Sequence, residues 1–184
     1  MRFLVALMLF LVPTQALAEV TIDYPDKPGR HRRAERIVNR AFRHSTFDFS
    51  TLDVELRFGS CRSVGSYNPP DNVACVDEAF TYKPARRPAP LTRLYGANIL
   101  LHELGHATDF QLLDDGDRER VSRSFCADHS HGWWHEAEYQ DRVGEAYADA
   151  FVATYWSLPF NHHRFPPHPV TEEVKQAVRE ALSS

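Results

Sequence analysis

Asn98-Ile99-Leu100-Leu101-His102-Glu103-Leu104-Gly105-His106-Ala107-Thr108-Asp109 is the stretch on which the rest of the chain turns. Its apolar lead-in runs straight into two histidines, and the pattern predicts a helix from about Leu91 to Leu113 that is apolar on most sides and therefore buried. Pro84, Pro88 and Pro90 interrupt regular structure before it, and Gly116, among Asp114, Asp115 and Asp117, marks its end. Residues four apart on a helix share a face and lie about 6 Å apart along the axis. The ring nitrogens of His102 and His106 can thus converge on one tetrahedral ion. Glu103 follows the first histidine directly, so it can approach a water on such an ion without ligating the ion itself. The rival reading is a chance His-Glu-x-x-His on a surface helix, and the apolar lead-in counts against it.

A catalytic zinc site needs a third protein ligand and an open fourth position. Asp109 lies near the same face, but about 4.5 Å further along the axis than His106, and reaches the ion only if the helix bends. The metzincin pattern needs Gly three residues after the second His and a ligand six after it; Asp109 and Leu112 occupy those positions, which excludes that class. Glu145 remains. It opens Gly144-Glu145-Ala146-Tyr147-Ala148-Asp149-Ala150-Phe151, within a helix expected over 143–156 that ends before Pro159. Asp149 is four residues on and shares the face of Glu145. There it can accept a hydrogen bond from the outer nitrogen of a ligand histidine and fix that ring's orientation. Ala146, Ala148 and Ala150 are small enough to let this helix come close to the first; an ordinary Ala-rich core helix with exposed acids is the alternative. The set predicts one zinc ion per chain on His102, His106 and Glu145. It predicts peptide hydrolysis by water, with Glu103 as general base.

His102-Glu-Leu-Gly-His-Ala-Thr-Asp109, followed downstream by Glu145-x-x-Ala-Asp-Ala-Phe151, resembles the gluzincin metallopeptidases. Within these it is most similar to the anthrax lethal factor-like branch, whose small secreted members include Pro-Pro endopeptidases; thermolysin-like gluzincins share the same two-helix core. The resemblance covers about residues 91–156. It implies a zincin-like α+β fold, zinc on His102, His106 and Glu145, and Glu103 as the base. The branch also places a Tyr seven residues before the third ligand, to stabilise the oxyanion. Here that position is Glu138 and the Tyr comes one later, at Tyr139, which becomes the candidate for the role, with His131 and His135 behind it.

The remaining sequence sets the context. Arg2, the apolar run Phe3 to Val12, Pro13 and the small-x-small Ala16-Leu17-Ala18 have the order of a secretory signal peptide. The run is about half the ~20 residues a bilayer core requires. This divides the chain into a signal at 1–18 and a single domain at 19–184, secreted or periplasmic and without a membrane span in its mature form. A net charge of −4 disfavours a nucleic-acid partner. The expected partner is a protein or peptide substrate, met by a monomer. Of three cysteines, Cys61 and Cys75 flank a turn-rich stretch and are expected to bridge, with Cys126 as the rival partner. Residues 30–44 read as a basic amphipathic helix with Ala34, Ile37, Val38 and Ala41 on one stripe, and its arginines as a solvated face. Leu52, Val54, Leu56 and Phe58 alternate with Asp53, Glu55 and Arg57 as in a strand. A second extended stretch is expected over 79–83 and a short helix over 171–182, while residues 118–140 show no clear period.

The architecture expected from these pieces is α+β: a small twisted sheet packed on the motif helix, its edge strand bordering a cleft, with the Glu145 helix crossing beneath. Asp109 is a candidate acceptor for His106. Trp133 and Trp134 either line the cleft or pack under a loop. Cys126, His129, His131 and His135 fit no standard metal spacing. A non-catalytic zinc-binding module, such as a sensor, inhibitor or adhesion factor, is the other functional class; the retained Glu103 favours an enzyme, since metal binding alone does not need it. Export is expected to remove residues 1–18 and leave Glu19 as the N-terminus. Intact mass of protein from the native host tests this, and a species retaining Met1 or Arg2 would mark the segment as an anchor.

Overall fold

A computed structural model describes residues 19–61, 63–77, 89–125, 133, 143–158 and 169–183. The proposed signal segment, the 79–83 stretch, Cys126, Trp134, Tyr139 and the histidines at 129, 131 and 135 lie outside these residues.

The alternation around Leu56 forms a strand, and its odd-even pattern sets the sheet's buried face. Strand β2 (Val54–Phe58) buries Val54, Leu56 and Phe58 and turns Arg57 outward. On one side it pairs in parallel with β1 (Val20–Asp23), with Ile22 opposite Leu56. The chain between them folds as helix α1 (Pro28–His44), which buries the predicted stripe Ala34, Ile37, Val38 and Ala41. On its other side β2 pairs in parallel with β4 (Val73–Val76), and β4 carries β3 (Gly65–Asn68) antiparallel along its far edge. Among the described residues the sheet order is β1-β2-β4-β3, with β3 at one edge.

The turn-rich segment between the two cysteines is therefore a hairpin rather than a loop held by its bridge. Pro69–Asp71 make a 3-10 turn, and Asn72 closes it in the left-handed region at φ 52°, ψ 41°, which Asn tolerates better than most residues. Tyr67 Oη donates to Asn72 Oδ1 at 3.0 Å and ties strand to turn. Val73 and Val76 then bury their branched side chains. Cys61 and Cys75 form the expected disulfide, with a Cα–Cα distance of 5.9 Å. It fastens the stretch leading into β3 onto β4.

The motif helix is α2 (Ala89–Leu112). It is buried without a break from Tyr95 to Asp109, because it lies between the sheet on one side and a second helical layer on the other. That layer holds α3 (Asp115–Ser124), α4 (Val143–Tyr155) and α5 (Glu172–Ala181). Helix α3 runs from the acids around Gly116 into the stretch from 118 that shows no sequence period. The acids around Gly116 do follow the end of α2, but they also start α3. Asp114 caps it by accepting from Asp117 N at 2.8 Å, and the Asp117 side chain reaches back to Asp114 N. A reciprocal cap of this kind satisfies backbone donors that the helix cannot, and acids suit its positive end. Helix α5 is capped by Thr171, whose Oγ1 accepts from Val174 N at 3.3 Å. Helix α4 joins the two apolar clusters, giving Phe151 and Val152 to the sheet-side core and Tyr147 and Ala150 to the core with α3 and α5. Among the described residues no helix is long and apolar enough to cross a membrane.

A bridge closing a loop of about 15 residues stabilises by roughly 3 kcal/mol through the unfolded chain. Replacing both Cys61 and Cys75 by Ala is therefore expected to lower the unfolding free energy by about 2–3 kcal/mol in urea titration under oxidising conditions. Non-reducing peptide mapping of the parent should recover the 61–75 pair.

Candidate metal centre

Gly105 lies where α2 packs tightly against α4. A Cβ at that position would stand 3.0 Å from Ala148 Cα and 3.3 Å from Phe151 Cβ. A glycine facing an alanine thus sets the spacing of the two helices, as the small residues along 146–150 suggest. Thr108 fixes the same contact with a hydrogen bond: its Oγ1 lies 2.9 Å from the buried Tyr147 Oη. Burial pushes that phenol's pKa up.

At this separation Glu145 reaches the histidines. Its Oε2 stands 3.2 Å from His102 Nε2 and 3.5 Å from His106 Nε2. One ligand atom from each of the three residues lies within 4.8 Å of the other two. The two rings are perpendicular, with centroids 4.8 Å apart. On the far side of its ring, His102 Nδ1 is 2.9 Å from Asp149 Oδ1. That is the contact the i, i+4 spacing of Glu145 and Asp149 makes available, and it leaves Nε2 facing the centre.

Two imidazole nitrogens and a carboxylate oxygen, all buried, form a donor set suited to a divalent ion. The charge balance supports the same fit. Glu103, Glu145 and Asp149 all lie in this region at 5–6% exposure, and buried carboxylates call for compensating positive charge. Burial works to lower the His102 pKa, but its hydrogen bonds to Asp149 and Glu145 outweigh that and raise it to about 10. Burial acts to raise the Glu145 pKa, and its bonds to His102 and His106 hold it well below the ordinary carboxylate range. Both shifts come from the close contact of these imidazoles and carboxylates.

Glu103 sits on the open side of the centre. A cleft of ≈ 310 Å³ is lined there by Glu103, His106 and Glu145 and, across from them, by Gly65, Ser66 and Tyr67 of β3. The edge strand therefore borders the cleft, as the expected architecture has it. Gly65 allows the close approach: a Cβ there would overlap Glu103 Oε1 and stand 2.6 Å from Ile99 Cγ2.

Asp109 has partners that the sequence does not reveal. It is fully buried, and its Oδ1 accepts from Arg118 Nε at 2.8 Å and its Oδ2 from Trp133 Nε1 at 2.9 Å. Arg118 Nη2 also donates to the Asp109 carbonyl at 2.9 Å. The Trp133 carbonyl in turn accepts from Gly144 N at 3.1 Å, at the start of α4. Trp133 packs on Tyr147, with ring centroids 5.8 Å apart. Asp109 thus ties the motif helix to the residue that enters the Glu145 helix. Tyr139, the oxyanion candidate, lies outside the described residues, as do the four residues of the weaker second metal grouping.

No protein-family model, curated protein or solved structure matches the chain.

Overpacking a filled interior costs about 1–3 kcal/mol. Gly65→Ala is expected to destabilise by that amount, because Glu103 and Ile99 must both give way. Gly59→Ala, where a Cβ meets nothing within 4 Å, should differ from the parent by less than about 0.5 kcal/mol. Urea unfolding of the two variants side by side checks the pair.

Proposed function

We propose that this chain is an exported zinc-dependent endopeptidase of the gluzincin type, with zinc on His102, His106 and Glu145. The observation that carries the reading is the three-residue donor set within 4.8 Å, with Glu103 lining the same cleft beside strand β3. The donor chemistry, two imidazoles and one carboxylate with an open side, is that of catalytic rather than closed structural zinc sites. A zinc ion held by His102, His106 and Glu145 would supply Lewis acidity, lowering the pKa of water and polarising the substrate carbonyl.

The chain's own residues supply the rest. Glu103 accepts the proton of the attacking water on its carboxylate and delivers it to the leaving amine nitrogen. Asp149 holds His102 through Nδ1, so that the opposite nitrogen presents its lone pair to the centre. β3, the edge strand of the sheet among the described residues, borders the cleft, where an extended substrate can add as a further strand. Tyr139, one residue past the position at which the resembled branch carries its Tyr, is the candidate oxyanion donor. The Cys61–Cys75 disulfide supports a location outside the reducing cytoplasm, and a signal peptide over 1–18 provides the route.

Three single substitutions separate binding from chemistry. Glu145→Ala is expected to lose both zinc and activity. Glu103→Ala should retain one zinc per chain and the parent fold, yet cleave nothing measurable. Asp149→Ala should weaken zinc affinity by about 10–100-fold. Zinc content and peptidase rate on all variants and the parent check the assignment. Undiminished zinc affinity in Glu145→Ala defeats the ligand assignment, and parent-like cleavage by Glu103→Ala defeats the mechanism. A parent that binds zinc and cleaves no member of a proteome-derived peptide library is the non-catalytic module instead.

A further inference from the structure

Phe110 lies on the motif helix four residues past His106, on the same face. Among the described residues it is the one large hydrophobic side chain left exposed, at 41%. It lines the cleft together with Tyr67 and Pro69 of the edge hairpin, and its ring centroid is 5.8 Å from that of Tyr67. The Tyr67 ring is held in place. Its hydroxyl donates to Asn72 Oδ1 at 3.0 Å and accepts from Gln111 Nε2 at 3.3 Å. Gln111 is itself locked to β2's approach, donating to the Asp53 carbonyl and accepting from Asp53 N, both at 2.9 Å. An aromatic shelf fixed in advance binds an apolar group with little ordering cost. No lysine or arginine is among the described residues lining this cleft, whereas Glu103 and Glu145 both are. A neutral apolar substrate side chain meets rings here.

Resting on the peptidase reading above, we propose that Phe110, Tyr67 and Pro69 form a specificity subsite that selects an aromatic or large aliphatic substrate side chain near the scissile bond. The helical rise places Phe110 about 6 Å beyond His106 along the axis. Each residue of an extended chain spans about 3.3 Å. The selected side chain is thus within two residues of the bond cut, on the side of the centre toward the end of α2.

The test uses zinc-loaded parent, Phe110→Ala and Phe110→Leu on a proteome-derived peptide library. It then uses matched synthetic peptides with Phe, Leu, Ala or Asp at the selected position. The parent should enrich Phe and Leu at one position within two residues of the cut and reject Asp. Phe110→Ala should lower kcat/KM for the Phe peptide about 10-fold more than for its Ala counterpart, the scale of one partly buried apolar side chain. Phe110→Leu should recover much of that preference. Cleavage without apolar preference, or a preference that Phe110→Ala leaves intact, overturns the subsite while the peptidase reading stands. Binding of the same peptides to the Glu103→Gln variant, followed by fluorescence anisotropy, separates the two claims. If the parent cleaves nothing but Glu103→Gln binds Phe peptides about 10-fold tighter than Ala peptides, and adding Phe110→Ala removes that margin, the subsite stands without the peptidase. Absence of both cleavage and apolar-dependent binding removes both.

Discussion

The contact between Gly105 and Ala148 sets the distance on which the centre depends. A carboxylate on one helix meets two imidazoles on another only if the helix axes come near the lower limit for packed helices, about 8 Å. Here a residue without a Cβ faces the backbone of an alanine, and Phe151 closes the contact one turn on. A larger side chain at either position would push α4 outward and take Glu145 Oε2 away from both Nε2 atoms. The neighbouring bonds reinforce the same approach. Thr108 to Tyr147 lies across the helix pair, and Asp109 to Trp133 leads into Gly144 at the head of α4. The apolar core holds α4 from both sides, since its residues are divided between the two clusters.

Burying so many ionisable groups has a physical consequence. His102, Glu103, His106, Asp109, Glu145 and Asp149 all fall at 8% exposure or less. Apolar residues of similar volume would often serve stability as well or better than buried ionic groups. The arrangement divides into two parts with different balances. Asp109 is matched by the Arg118 guanidinium and the Trp133 N–H, so burial and its partners pull its pKa in opposite directions and leave it raised. The histidine–carboxylate group around Glu145 is instead a buried set of donors that could hold a metal ion. One turn of helix thus separates the Asp109 ion pair from this donor set.

The sheet side imposes a second constraint, of shape. Along one face of β3, Gly65 and Tyr67 alternate with outward residues, and they do opposite things. Gly65 withdraws to make room for Glu103 and Ile99. Tyr67 reaches forward to Phe110. The strand thus packs against the proposed base at Gly65 and presents an aromatic ring toward Phe110 at Tyr67. The disulfide from Cys61 to Cys75 and the Tyr67–Asn72–Gln111 bonds keep that short edge from fraying.

What the sequence determined by itself is what local backbone geometry controls. The i, i+4 spacing puts His102 beside His106 and Glu145 beside Asp149, because the helical repeat is the same in any protein. The stripe of α1 and the alternation of β2 are legible for the same reason, as is the small face of α4. The tertiary structure alone decided the rest. β3 (GSYN) and β4 (VACV) are four-residue strands, one polar and one apolar, too short to carry a strand period; they exist because ladder bonds to β2 and to each other complete them. Helix α3 is capped rather than patterned, and its signal lay in acids that also end the preceding helix. The partners of Asp109 come from Arg118 and Trp133, side chains that no periodicity relates to it. The meeting of Glu145 with the two histidines belongs to both levels. Residue type and spacing named the candidates, but convergence on one point required two helices at a given separation, and that separation is a property of packing rather than of either helix.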